Sequence, residues 1–203
     1  MRWFTSDQHF GHANIIRYCD RPFDSTDDMD SDIVERYNGL VAADDDVWWL
    51  GDVAMGDAQQ TLRNVARCNG VKRLVVGNHD RVFHRPQSNR RPESEWDALY
   101  REVGFTSIEH TPSSITLANG LSVVMCHFPY RGDSHDEDRF DALRPADQGR
   151  WLLHGHVHEK WRQQGRQINV GVDAWGGQPV SEAQICELID GGAVDSAPLP
   201  WRR

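Results

Sequence analysis

Five short runs in this chain bring aspartate, asparagine and histidine together at spacings that could hold divalent cations or move protons. They are Asp7-Gln8-His9, Gly51-Asp52, Gly77-Asn78-His79-Asp80, His127 and Gly155-His156-Val157-His158. Carboxylates and imidazoles are ligands for first-row metals, and asparagine adds a neutral oxygen. A histidine among them can serve instead as a general acid. Taken singly the runs say little, since Asp-x-His around a turn is commonplace and a lone histidine such as His127 is more often structural. His156 and His158 carry more weight, because alternate residues of an extended chain point the same way. His12, in the loop after His9, suits a substrate contact and a solvated loop equally.

The five runs share a position: each stands at the end of an apolar stretch. Arg2 to Ser6, Asp46 to Leu50, Leu74 to Val76, Leu121 to Val124 and Trp151 to Leu153 read as strands. In an open α/β sheet, ligands collect at the carboxyl ends of the strands. Helices are expected in between. Ser25 to Leu40 carries Met29, Ile33, Tyr37 and Leu40 at near-helical spacing, and Asp27 and Asp28 in its first turn suit the helix dipole better than a cation. A second helix is capped by Asp57 and closed by Asn69-Gly70. A third carries Trp96, Leu99, Tyr100 and Val103 and ends at Gly104. A last one spans Ser181 to Ile189, with Ser181 and Gln184 as a capping box. Asn119-Gly120 predicts a hairpin between Ile115 to Ala118 and Leu121 to Val124, and Ile168 to Val172 reads as a further strand. Arg81, Arg85, Arg90 and Arg91 form a basic segment that reads first as solvated surface and second as a phosphate-contacting lid. Asp133 to Asp141 lacks periodicity and is expected as an exposed loop with room for a short helix, and the tail from Gly191 is expected to fray. Strand and helix alternate, which predicts an α/β fold. No repeat or linker divides residues 1–203, so one domain is expected.

A chain of 203 residues can bury a sizeable core without disulfides or a structural metal. Its net charge of −9 argues against non-specific attraction to nucleic acid, and no stable nucleic-acid binding is expected. A local phosphate site stays open, because two bound dications would reverse the local sign. Cys19, Cys68, Cys126 and Cys186 are widely spaced and read as reduced thiols. No apolar run is long enough to span a membrane, and no apolar stretch precedes Asp7 as an export signal would, so the cytoplasm is the expected compartment.

In this order, the five runs resemble the calcineurin-like metallophosphoesterase superfamily, whose pattern is D-x-H, G-D, G-N-H-(D/E), H, G-H-x-H. Every element is present, over about three-quarters of the chain. The stretches SDQHFGHANII and NVGVDAW look most like a small bacterial and phage branch of predicted phosphoesterases. The resemblance implies a single metallophosphoesterase domain built as a four-layer α/β/β/α sandwich, two mixed sheets face to face with helices outside. It implies two divalent ions, one held by Asp7, His9, Asp52 and His158, the other by Asp52, Asn78, His127 and His156, with Asp52 as the bridge. Mixed nitrogen and oxygen donors suit Mn2+, with Fe or Zn as alternatives. By similarity, a hydroxide shared by the ions attacks phosphorus in line, and His79 protonates the leaving oxygen. Asp80 is expected to orient His79. In some branches that carboxylate stands three residues after the bridging aspartate, where this chain has Met55. His12, Arg21, Arg81 and Arg131 are candidates for gripping the substrate, although arginine makes up nearly all of the 22 basic residues and so carries little information by its presence. The expected activity is a phosphodiesterase acting on a small or accessible phosphodiester, nucleotide-type esters included. A phosphomonoesterase and a nuclease acting on DNA or RNA are the alternatives. A non-catalytic scaffold fits poorly with an intact donor set.

Overall fold

The computed structural model describes residues 1–83 and 93–201, and among these the chain forms two five-stranded sheets flanked by helices. The first sheet has the order β10 (Val180–Ser181), β1 (Arg2–Thr5), β2 (Asp46–Trp49), β3 (Val71–Val75) and β4 (Phe105–Glu109). Its strands β1 to β4 are parallel and β10 is antiparallel. The second has the order β5 (Ser113–Thr116), β6 (Ser122–Met125), β7 (Leu152–His154), β9 (Gln167–Asn169) and β8 (Gln163–Gln164). Here β6, β7 and β9 are parallel and the outer strands antiparallel. Both sheets are therefore mixed.

Alternation along the strands divides the core into layers. Trp3, Val47, Trp49 and Leu74 meet the helices α1 (Ala13–Tyr18), α2 (Thr26–Asn38), α3 (Ala58–Thr61), α4 (Arg63–Ala66) and α5 (Glu93–Glu102). Phe4, Leu50 and Val75 point the other way, onto Val123, Met125, Leu153 and Ile168 of the second sheet. Ile185 and Ile189 of α6 (Glu182–Asp190) complete that inner layer. The outer face of the second sheet carries a small cluster of Val124, Cys126, Phe128 and Leu152 against Phe83, Tyr130 and Phe140. A parallel bridge from Ser6 to Gly171 joins the ends of the two sheets.

Local chemistry explains most boundaries. Ser25 caps α2 by accepting from the Asp28 amide at 3.1 Å, and Ser181 and Gln184 cap α6 reciprocally. The helix expected after Asp57 comes as two short ones meeting at Leu62, with the Thr61 hydroxyl bonded back to the Asp57 carbonyl. The polar strand β4 and the short α1 have no clear periodicity in sequence. The expectation of a frayed tail is corrected: Ser196 pairs with Gln163, Leu199 with Trp175, and the Trp201 ring stands edge-on to Phe23 at 5.5 Å. Burial of that indole outweighs the entropy of a loose end. All four cysteines are free. Arg85, Arg90 and Arg91 lie outside the described residues. Among the described residues, no helix is long and apolar enough to cross a membrane.

Candidate metal centre

The five runs converge where β1, β2, β3, β6 and β7 end. Backbone hydrogen bonds hold them together: the Asp7 amide donates to the Gly51 carbonyl at 3.0 Å, His9 to Asp52 at 3.1 Å, and Gly155 to His127 at 3.0 Å. Glycines make this approach possible. A Cβ on Gly77 would collide with the Asp52 carboxylate and stand 2.6 Å from the Asp52 amide nitrogen, and one on Gly51 would stand 2.8 Å from His127 Nδ1. Seven described non-glycine residues have left-handed backbones, and five of them are Asp7 (φ 59°), His9 (52°), Asp52 (55°), His156 (72°) and His158 (49°). That region costs roughly 1–3 kcal/mol per residue, so backbone strain is concentrated on this cluster.

The donors form two overlapping groups. Asp7, His9 and His158 each place a ligand atom within 4.8 Å of the others, as do Asp7, Asp52 and His127. Asp52 Oδ2 lies 3.6 Å from His9 Nε2 and 3.4 Å from His127 Nε2, between one histidine of each expected set. His127 Nδ1 donates to the Leu50 carbonyl at 2.7 Å, and its Nε2 faces Asp52 Oδ2 and, at 3.1 Å, the Asn78 amide oxygen. Both ring nitrogens of His9 are buried without a hydrogen-bond partner. Imidazole nitrogens orphaned among carboxylates suit a cation, which would supply the missing partner. A third group, Cys19, His158 and Asp173, is unsuited to a cation, because Arg21 already occupies both Asp173 oxygens at 2.8 Å.

Electrostatics follow the same geometry. Burial opposes ionisation of Asp52, yet His127 beside it holds the carboxyl well below its ordinary value. Burial likewise works against the charge on His127, but Asp52 raises it to about 9. Burial pushes His9 well down and, with His127 adjacent, lowers His156 to about 3, so both rings are neutral. Desolvation followed by the Asp52 charge lifts Asp80 to about 6.

The remaining expected residues take varied places. His79 is half-buried, its amide donating to Asp52 Oδ1 at 2.7 Å and its ring 5.4 Å from that of His9. Asp80 accepts from the amides of Gly77, Asp52 and Val53 at 2.8, 3.0 and 3.0 Å and from the Tyr100 hydroxyl at 3.2 Å. Four donors fill the carboxylate, so Asp80 ties the Gly51 and Gly77 loops together. The half-buried His12 has its ring 5.3 Å from His9, and burial lowers it to about 4. Arg81 donates to the Gly56 carbonyl at 2.8 Å, and Arg131 is exposed. Arg21 is buried, bonded to Asp173 and to the Asp7 and Gln8 carbonyls, which corrects its expected place on the substrate. Two acids missed in sequence aim histidines: Asp173 lies 3.1 Å from His158 Nδ1, and Asp133 2.9 Å from His156 Nε2. Asp173 stands in the NVGVDAW stretch just past a strand, a usable signal; Asp133 has none, being the first acid of a charge-rich run.

The Gene 66 protein of Mycobacterium phage D29 is 36% identical over 182 residues, covering 85% of this chain and 88% of that protein. The Gene 66 protein of Mycobacterium phage L5 is 31% identical over 195 residues, covering 93% of each. Among solved structures, a protein of unknown function from Aquifex aeolicus matches with a TM-score of 0.68 at 25% identity, over 93% of this chain and 98% of that one. No protein-family model matches the chain.

Proposed function

We propose that this chain, which belongs to the family of the Gene 66 proteins of mycobacteriophages D29 and L5, is a phosphoesterase dependent on two divalent ions. The observation that carries this reading is His9, buried with both ring nitrogens unpartnered between Asp7, Asp52 and His158. Asp7, His9, Asp52 and His158 would hold one ion and Asp52, Asn78, His127 and His156 the other, with Mn2+ the best match to these donors. Such a pair lowers the pKa of a shared water and neutralises charge on a phosphoryl group. The chain's own residues do the rest. The Asp52 carboxylate keeps the two donor sets at a fixed separation, and the left-handed backbones at Asp7, His9, His156 and His158 hold those side chains in place before substrate arrives. His79, beside the centre but half-open to solvent, is the group proposed to give its proton to the leaving oxygen. His12 and Arg131 are the proposed substrate contacts, with Arg81 at the rim. A small or accessible phosphodiester is the proposed substrate class, since a net charge of −9 gives long nucleic acid no general attraction.

The test is turnover of bis-p-nitrophenyl phosphate and p-nitrophenyl phosphate by Mn2+-loaded protein of known metal content. Two ions per chain and faster diester turnover are expected. Asp52→Asn should lose both metal and activity. His79→Ala should keep both ions and lose about 10²- to 10⁴-fold on esters with an alkoxide leaving group. Two bound ions without hydrolysis of either ester would overturn the catalytic assignment, and absence of the ions would overturn the centre itself.

A further inference from the structure

The acidic run that begins at Asp133 reads in sequence as solvated surface, yet its first residue is buried and the segment folds around that carboxylate. Asp133 Oδ2 lies 2.9 Å from His156 Nε2 and accepts from the Arg139 amide at 3.1 Å and Arg144 Nη2 at 3.3 Å. Oδ1 accepts from Arg139 Nη2 at 2.7 Å and Nε at 3.1 Å, and from the His135 amide at 3.1 Å. Arg144 is itself fixed by the Pro129 and Gly132 carbonyls at 3.1 and 2.9 Å. The same segment covers the imidazole it bonds: Phe140, held in a left-handed backbone, has its ring 5.6 Å from His156, and Phe128 closes another side at 5.1 Å. Nothing in a merely solvated loop calls for a buried carboxylate gripped by two guanidiniums.

We infer that Asp133 is the positioning residue of His156: it accepts the hydrogen bond from Nε2–H, fixes the ring's tautomer and leaves Nδ1 as the nitrogen offered to a cation. Arg139 and Arg144 keep the carboxylate charged and in place. The arrangement parallels Asp173 on His158, clamped by Arg21, so each histidine of the Gly155 to His158 run is aimed by its own arginine-held acid. Outer partners of this kind set ring orientation and ligand basicity, and their loss typically weakens metal binding about 10- to 100-fold. This inference rests on the proposed two-ion centre.

The experiment is a titration of chelator-treated protein with Mn2+ alone, the free aquo ion being counted by electron paramagnetic resonance. Wild type, Asp133→Asn, His156→Ala and the double variant are compared. Two ions are expected in the wild type. Asp133→Asn should weaken, by about 10- to 100-fold, the one site that His156→Ala abolishes, and leave the other untouched. In the His156→Ala background it should change nothing further. Wild-type affinities in Asp133→Asn, or equal weakening of both sites by Asp133→Asn with the remaining site weakened again in the His156→Ala background, would overturn the inference while leaving the centre standing. Fewer than two ions in the wild type would bring down both together. Should Asp133→Asn fail to fold, Arg139→Gln, at a side chain 41% exposed, must show a smaller loss at the same site.

Discussion

A buried guanidinium with both oxygens of Asp173, two backbone carbonyls and the Met29 sulfur in reach has no donor left over for a phosphate. Arg21 follows the Asp7 to His9 run in sequence, and nothing in its residue type distinguishes a structural arginine from a substrate-gripping one. Its neighbours do. Removing one partner of a buried ion pair leaves the other charge uncompensated, so Arg21→Met should destabilise the protein by about 3–5 kcal/mol in urea unfolding. A substrate-binding arginine would instead raise KM at unchanged stability. The pH dependence has a fixed sign. Burial opposes the charge on Asp173, but Arg21 holds its carboxyl below the ordinary 3.8, so this stabilisation is complete above that value and is lost as pH falls through the depressed one. The stability gap between wild type and variant should therefore narrow in acid; a gap that widened there would refute the ion pair as its source.

At the scale of the element, two tight loops at the ends of β2 and β3 bring Asp52, Asn78 and His79 together. Their glycines serve different ends. Gly77 has an ordinary backbone and is needed for space, since a methyl group there meets Asp52 itself. Gly120, at the tip of the β5–β6 hairpin, has φ +83° and open space around it. Gly77→Ala should cost roughly 1–3 kcal/mol through overpacking and also weaken Mn2+ binding, because Asp52 must move. Gly120→Ala should cost about 1 kcal/mol from the left-handed backbone and leave Mn2+ affinity unchanged. Calorimetry and metal titration on the two variants separate the effects. Equal metal affinity in both would mean that the Gly51 and Gly77 loops tolerate displacement.

Across the whole molecule, both apolar layers form without help from the donor cluster: Phe4, Leu50, Val75 and Met125 pack between the sheets, and Trp49, Met29 and Tyr37 pack beneath the helices. Chelated protein should thus keep its far-UV circular dichroism. Mn2+ should raise its Tm, adding about 2.7 kcal/mol per site at a free concentration a hundredfold above Kd. Unfolding on chelation would mark the ions as structural. The strands of the central layer, the capped helices α2 and α6 and the hairpin at Asn119-Gly120 were legible because side-chain period, caps and turn residues act over a few positions. The polar edge strand β4, the anchored tail and the buried Asp133 were not, because each depends on what a distant segment lays against it. By itself the sequence determined which donor types stand at the ends of which apolar runs and in what order, since those follow from local spacing. Only the tertiary structure decided that Asp80 ties two loops, that Arg21 belongs to Asp173, and that Asp133 reaches His156. Hydrogen bonds in a buried site are made by whatever the fold brings within 3 Å, and separation along the chain does not encode that distance.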